Sequence, residues 1–125
     1  MINQTQSRHA SNAQGIGRIE RLPVGLKIAG LRAPNPEGQS MAEQCQAALD
    51  EGLKALQASG YSLSDVTRVV YLIADAASFP TCAPILRHVF AESEPSVTLM
   101  WVKKLAVPAA KIEFEFCVSE ETNAA

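Results

Sequence analysis

A chain of 125 residues is the size of one domain and long enough to bury roughly two-thirds of its unfolded surface, so its core needs no disulfide or metal staples. With 47% apolar and 19% charged residues it has an ordinary globular composition, which excludes a disordered chain. The net charge of −2 gives no global pull toward nucleic acid, and no apolar run approaches the roughly 20 residues that span a bilayer.

Residues 1–14 are rich in Ser, Asn, Gln and Thr and read as a loose arm before a single domain over 15–119, with a short tail over 120–125. The polar stretch from Asn3 to Gln14 also lacks the apolar centre of a signal peptide. Two short strands are expected at Ile16 to Leu22 and Leu26 to Leu31, divided by a Pro23-Val24-Gly25 turn. A loop with two prolines follows, from Ala33 to Gly38. Ser40 with Glu43 three residues on is a capping box, which predicts a helix from about Met41. Met41, Cys45, Ala48, Leu49, Leu53, Leu56 and Gln57 keep helical spacing and form a stripe expected to lie on a sheet. Gly52 interrupts that helix at a cost of about 1 kcal/mol relative to Ala, either as a tolerated residue or to permit close packing.

Gly60 can close the helix in a left-handed conformation, and Ser62, Ser64 and Asp65 supply a polar elbow. Val66, Val69, Val70, Tyr71 and Leu72 then have the β-branched and aromatic character of a strand, expected from Val66 to Ala74. Ser78 is a candidate cap for a second helix, with Pro80 in its first turn and Ile85, Leu86, Val89 and Phe90 facing inward. Pro84 predicts a delayed start or a kink in that helix. Two strands close the chain, Ser96 to Leu105 and Lys111 to Val118. In the last of them Ile112, Phe114, Phe116 and Val118 alternate with Lys111, Glu113, Glu115 and Cys117, so one apolar face should pack under the helices. The order β-β-α-β-α-β-β predicts a two-layer α+β fold, a mixed sheet with two helices on one face, whose other face needs cover from further subunits.

Cys45, Cys82 and Cys117 are odd in number and widely spaced, which fits reduced thiols in a soluble cytoplasmic protein better than a disulfide framework or a zinc motif. His9 and His88 have no partner at metal-ligand spacing, so no metal is expected. No phosphate-binding glycine loop, nucleophile elbow or dinucleotide fingerprint is present, and no cofactor is expected.

The segment Gly60-Tyr61-Ser62-Leu63-Ser64-Asp65-Val66 resembles the signature region of the RidA family, also called YjgF or L-PSP, in which a glycine-serine-aspartate elbow joins a long helix to a core strand. Lys111-Ile112-Glu113-Phe114-Glu115 is similar to the family's last strand, and Ser78-Phe79 followed by Phe90 to its second helix. The resemblance implies a chorismate-mutase-like fold, a homotrimer with a barrel-like centre, and ligand clefts between subunits. It also implies cofactor-free hydrolysis of imines or enamines. Deaminating members carry Pro-x-Arg at the start of the penultimate strand, where the planar guanidinium holds the substrate carboxylate. Here that segment is Pro95-Ser96-Val97, and Val97 stands where the arginine would be. The family's asparagine in the second helix aligns with Ala83, and no tyrosine stands in the N-terminal segment where active members place one. The acidic residue associated with activating water is retained as Glu113.

These positions define the candidate site. Glu113 is the catalytic candidate, because a partly buried carboxylate of raised pKa can shuttle the proton that hydrolysis requires. Ala29 and Gly30 are candidate cleft walls, and Arg32 a candidate replacement cation; Arg18 and Arg21 carry the same reading with less weight. Val97, Leu99 and Trp101 alternate along the penultimate strand and, sharing a face, would make the pocket apolar. Trp101 either lines the cleft or packs in a core, while Lys103 and Lys104 read as edge or surface charges. Cys82, beside the ligand position Ala83, reads as a buried inert thiol. The expected function is therefore a trimer binding a small-molecule metabolite, as an imine or enamine deaminase of altered specificity or as a non-catalytic binding protein. An endoribonuclease is the third reading, disfavoured because no basic and aromatic groove is legible, and neither nucleic acid nor membrane is an expected partner.

Overall fold

The computed structural model describes residues 16–119, so the expected N-terminal arm and C-terminal tail lie outside the described residues. Strand β1 (Arg18–Leu22) and strand β2 (Gly25–Leu31) form the expected hairpin, closing at the Leu22–Gly25 pair. Helix α1 (Met41–Ala58) starts at the capping box: the Glu43 amide donates to Ser40 Oγ at 3.1 Å, and the Ser40 amide donates to Glu43 Oε1 at 2.8 Å. It ends where Gly60 turns left-handed (φ +85°), with the Tyr61 amide bonded to Leu56 O at 2.9 Å and the Gly60 amide to Gln57 O at 3.1 Å. The elbow tightens into a single 3₁₀ turn (Leu63–Asp65), in which Asp65 Oδ2 accepts the Ser62 amide at 2.8 Å.

Strand β3 (Val66–Ile73) leads to a divided second helix. A 3₁₀ segment (Ala76–Thr81) precedes helix α2 (Ala83–Val89), and Pro84 sits in the first turn of α2, where its missing amide hydrogen costs nothing. The cap of the 3₁₀ segment is Asp75, not the expected Ser78: Asp75 Oδ2 accepts the Ser78 hydroxyl at 2.9 Å, and the Ser78 amide donates to Asp75 Oδ1 at 3.4 Å. A carboxylate with two acceptor oxygens can hold both donors of Ser78, which a hydroxyl at position 78 could not do for itself. Strand β4 (Ser96–Trp101) is shorter than expected because β3, its only strand partner among the described residues, has ended by Ala74. Strand β5 (Ile112–Ser119) completes the sheet.

The sheet order is β1-β2-β5-β3-β4, with β3 and β4 parallel and every other neighbouring pair antiparallel. Strand β5 thus inserts between β2 and β3, which run in the same direction, and the crossover helices α1 and α2 cover one face. This is the expected two-layer α+β fold. Phe114 and Phe116, both fully buried, form its centre with Ile112, Leu26, Ile28 and Val69. The buried stripe of α1 runs through Cys45, Ala48, Leu49, Gly52, Ala55 and Leu56, whereas the expected Leu53 and Gln57 face outward. Gly52 causes that shift. A Cβ on it would lie 2.4 Å from Phe116 Cε2, so the helix approaches the sheet at the glycine and rotates its neighbour Leu53 off the contact.

Candidate functional site

The expected site residues fall into two groups on opposite faces of the sheet. The core-facing Ile28 pairs with Phe116 and Leu31 with Phe114, so between them Ala29 and Gly30 together stand opposite Glu115, on the face away from the helices. That is a β-bulge, and it needs a left-handed residue, supplied by Gly30 at φ +74°. A side chain at Gly30 would also meet Arg18, whose Nη1 comes within 3.1 Å of where a Cβ would stand. Ala29 is Arg18's cross-strand partner. Lys27 forms an ion pair with Glu115 at 3.8 Å on the same surface.

Glu113 lies two residues from Glu115 along β5, on this face. Burial raises the pKa of its carboxyl, the positive charges of Arg32 and then Arg18 pull it back, and Glu115 adds a smaller upward push. A half-buried carboxylate whose pKa burial raises, with the charges of Arg32 and Arg18 acting on it, is suited to accepting and returning a proton while staying close to an anionic ligand group. Ala29, Gly30, Arg32 and Glu113 therefore gather in one polar patch. Arg18, given less weight from sequence, belongs with them; its pairing with Ala29 across an expected hairpin is the signal that could have ranked it higher.

On the helix-covered side, Val97, Leu99 and Trp101 pair with Val69, Tyr71 and Ile73 and share one face, as expected. This face is open rather than packed. Val97 is 49% exposed, Leu99 41% and Trp101 60%, because α2 is too short to cover the edge strand. Between α2 and β4 lies a cavity of about 430 Å³, lined by Ala83, Val97 and Leu99 with Tyr71, Phe79 and Phe90. Trp101 is not a core residue. It touches Phe79 edge-on with ring centroids 6.0 Å apart, and Phe79, Tyr71 and Phe114 continue an aromatic chain into the core at 6.2 and 5.5 Å. The Tyr71 hydroxyl is pushed up to about 12 by burial, then by the Cys45 and Cys82 thiols, so it remains protonated and can serve here only as a neutral polar group.

Cys82 lies fully buried behind Ala83, as expected, its thiol 3.9 Å from the Met41 carbonyl. The hydrogen bond it shares with Cys45 lowers the pKa of the Cys82 thiol against the upward push of burial, which departs from the inert reading, while the same bond and then burial push the Cys45 thiol up. The sheet itself separates the two groups. Glu113 pairs with Leu72, and Leu72 with Met100, placing the carboxylate on the Met100 face while Val97 and Leu99 project from the other. One chain does not bring Glu113 to Ala83, Val97, Leu99 or Trp101. Among the described residues, no group of three or more His, Cys, Asp or Glu side chains could hold a metal.

A five-stranded mixed sheet with β5 inserted between two crossover units, and a bulge at Gly30 facing a half-buried glutamate, defines the class of YjgF-like α+β proteins. The family model described as endoribonuclease L-PSP matches residues 26–120, and the chain belongs to that family, whose other names include YjgF and RidA. A search of curated proteins returns no match in sequence. Among solved structures, Rv2704 of Mycobacterium tuberculosis, a member of the YjgF/YER057c/UK114 family, is 23% identical with a TM-score of 0.72, over 81% of this chain and 83% of that one. The E. coli YjgF gene product is 21% identical with a TM-score of 0.71, over 82% and 86% of the two chains. A putative translation initiation inhibitor from Salmonella typhimurium is 18% identical with a TM-score of 0.77, over 89% and 95%. At these identities the likeness establishes the shared fold.

Proposed function

We propose that the chain works as a homotrimer in which the Glu113 patch of one copy faces the apolar cavity of the next, forming a cleft for a small metabolite with an apolar body. The observation that carries this reading is the split site: a half-buried glutamate on one face and an open apolar wall at Val97 and Leu99 on the other, joined only if a second copy brings them together. The chemistry such a cleft supports is hydrolysis of an imine, or of an enamine after tautomerisation. Water adds to the C=N carbon, Glu113 accepts a proton from the water and returns it to nitrogen, and the carbinolamine breaks to a carbonyl and ammonia. The compartment we assign is the cytoplasm, on the strength of the free Cys45, Cys82 and Cys117 thiols; among the described residues no helix is long and apolar enough to cross a membrane.

A second reading rests on Val97. An aliphatic side chain cannot grip a carboxylate, so a non-catalytic binding protein would keep the cleft and lose the reaction. The nuclease activity in the family's description forms no part of either reading, because Lys27 and Arg68 alternate with Glu113 and Glu115 on the open face instead of lining a basic groove.

Ammonia release from freshly generated 2-aminoacrylate and from a long-chain aliphatic imino acid separates the two. The deaminase reading expects turnover of the aliphatic imino acid above the spontaneous rate, and expects Val97→Arg to shift preference toward 2-aminoacrylate. No turnover of either compound by the parent chain and by Val97→Arg, with both proteins folded, would leave only the binding reading.

A further inference from the structure

A second cavity, of about 600 Å³, opens at the carboxyl ends of β2, β3 and β4, where the chain leaves three strands that run in the same direction. Crevices outside the carboxyl ends of such strands are where open sheets collect ligands, because loops diverge there. This one is lined by Lys103, Lys104 and Lys111, with Asp75 as its only carboxylate and Gln39 at its wall. Three positive charges converge in a protein whose net charge is −2.

The single carboxylate neutralises at most one of them. Asp75 is already occupied by the amide and hydroxyl of Ser78, and Lys111 Nζ lies 3.7 Å from it. Among the described residues Lys103 and Lys104 have no ion-pair partner. The cavity is also held rigid from below. The fully buried Gln44 of α1 donates its side-chain amide to Pro36 O at 3.2 Å, Gln39 O at 3.3 Å and Ala109 O at 3.1 Å, and its Oε1 accepts the Lys111 amide at 2.8 Å. One amide thus fastens the loop after β2 to the loop before β5, fixing two walls before any ligand arrives. Gln39 Oε1, by contrast, is buried without a hydrogen-bond partner, and a buried polar atom left unpaired is a cost that a bound group could relieve.

We propose that this cavity is a binding site for a small, multiply charged oxyanion, a phosphate ester or a polycarboxylate, separate from the Glu113 patch and from the apolar cavity beside α2. Lys103 and Lys104 supply the free charge, Lys111 is shared with Asp75, and Gln39 Oε1 accepts from a hydroxyl or protonated oxygen of the ligand. The site needs no second copy of the chain, since every lining residue named here belongs to one chain.

Calorimetric titration of the full chain at low ionic strength with inorganic pyrophosphate and, separately, with citrate tests this and distinguishes the two sources of charge. At least one probe is expected to bind once per chain, and Lys103→Ala/Lys104→Ala to weaken it about tenfold, with circular dichroism unchanged because both side chains are exposed. Arg18→Ala/Arg32→Ala should leave that affinity where it was, which separates this site from the Glu113 patch. Absence of heat from either probe up to about 10 mM would overturn the proposal. So would an affinity lost in the arginine variant and kept in the lysine variant.

Discussion

In the proposed cleft Glu113 is the residue that would move the proton, and its environment predicts a measurable sign. Because burial, the leading cause, raises its folded pKa above the ordinary 4.5, the protein binds this proton more tightly folded than unfolded. The protonated form therefore favours the fold below about 4.5, and that contribution is lost as pH rises through the higher folded value. Glu113→Gln keeps the shape and removes the charge. Urea midpoints should show the variant more stable than the parent at pH 7 to 8, with the difference vanishing as pH falls below about 4.5. A variant less stable than the parent at pH 7 would mean that the attraction of Arg32 and Arg18 outweighs burial. The alternation along β5 placed Glu113 on the face away from the core in the sequence itself. Arg18 was less legible as its neighbour, because the two meet through the register of three strands, none adjacent in sequence to both.

At the scale of elements, local chemistry was easiest to read where it is contained within a few residues. The Ser40 and Glu43 box and the Asp65 elbow depend on side chains three residues from the backbone they bond, the Gly60 stop on backbone bonds spanning three to five residues, and all appear as expected. Pro84 delays the start of α2 as expected, whereas Asp75, three residues upstream, takes the cap from Ser78 because its carboxylate offers two acceptors. The stripe of α1 turned at Gly52 because of Phe116, which lies in the last strand. The left-open choice at Gly52 resolves toward close packing, and this can be measured. Alanine there gains roughly 1 kcal/mol of helix propensity but pushes a Cβ into a fully buried ring that has no room to move, at a cost of about 1–3 kcal/mol. Gly52→Ala should thus lower stability by about 1 kcal/mol in urea unfolding, where an unhindered helical glycine would show a gain of similar size. Pairing it with Phe116→Leu should recover part of the loss, since both changes act on the same contact.

The whole molecule presents its two sheet edges very differently. β1 carries Arg18, Glu20 and Arg21, the charged pattern that keeps an edge from pairing with other chains. At the other edge, β4 exposes Val97, Leu99 and Trp101 on one face and Met100, 46% exposed, on the other. Large apolar side chains on both sides of an unpaired strand favour association and are more than scattered surface residues. Among the described residues no helix lies over the other face of the sheet, and its Glu113, Glu115 and Cys117 are all only half-exposed. A homotrimer that packs these surfaces together would explain both features and would also complete the cleft from two copies. Static light scattering on the purified full chain should return three times the chain mass, held on dilution to micromolar concentration. Leu99→Lys/Met100→Lys places a charge on each face of β4 and should shift the mass toward a single chain, while far-ultraviolet circular dichroism retains the helix content, because neither side chain is buried in the chain's own core. The same dissociation should abolish binding of any ligand that needs both the Glu113 patch and the apolar wall. A trimer whose mass resists both charges would show that β4 lies outside the interface, and the cleft would then have to be built within one chain, where the sheet stands between its two halves.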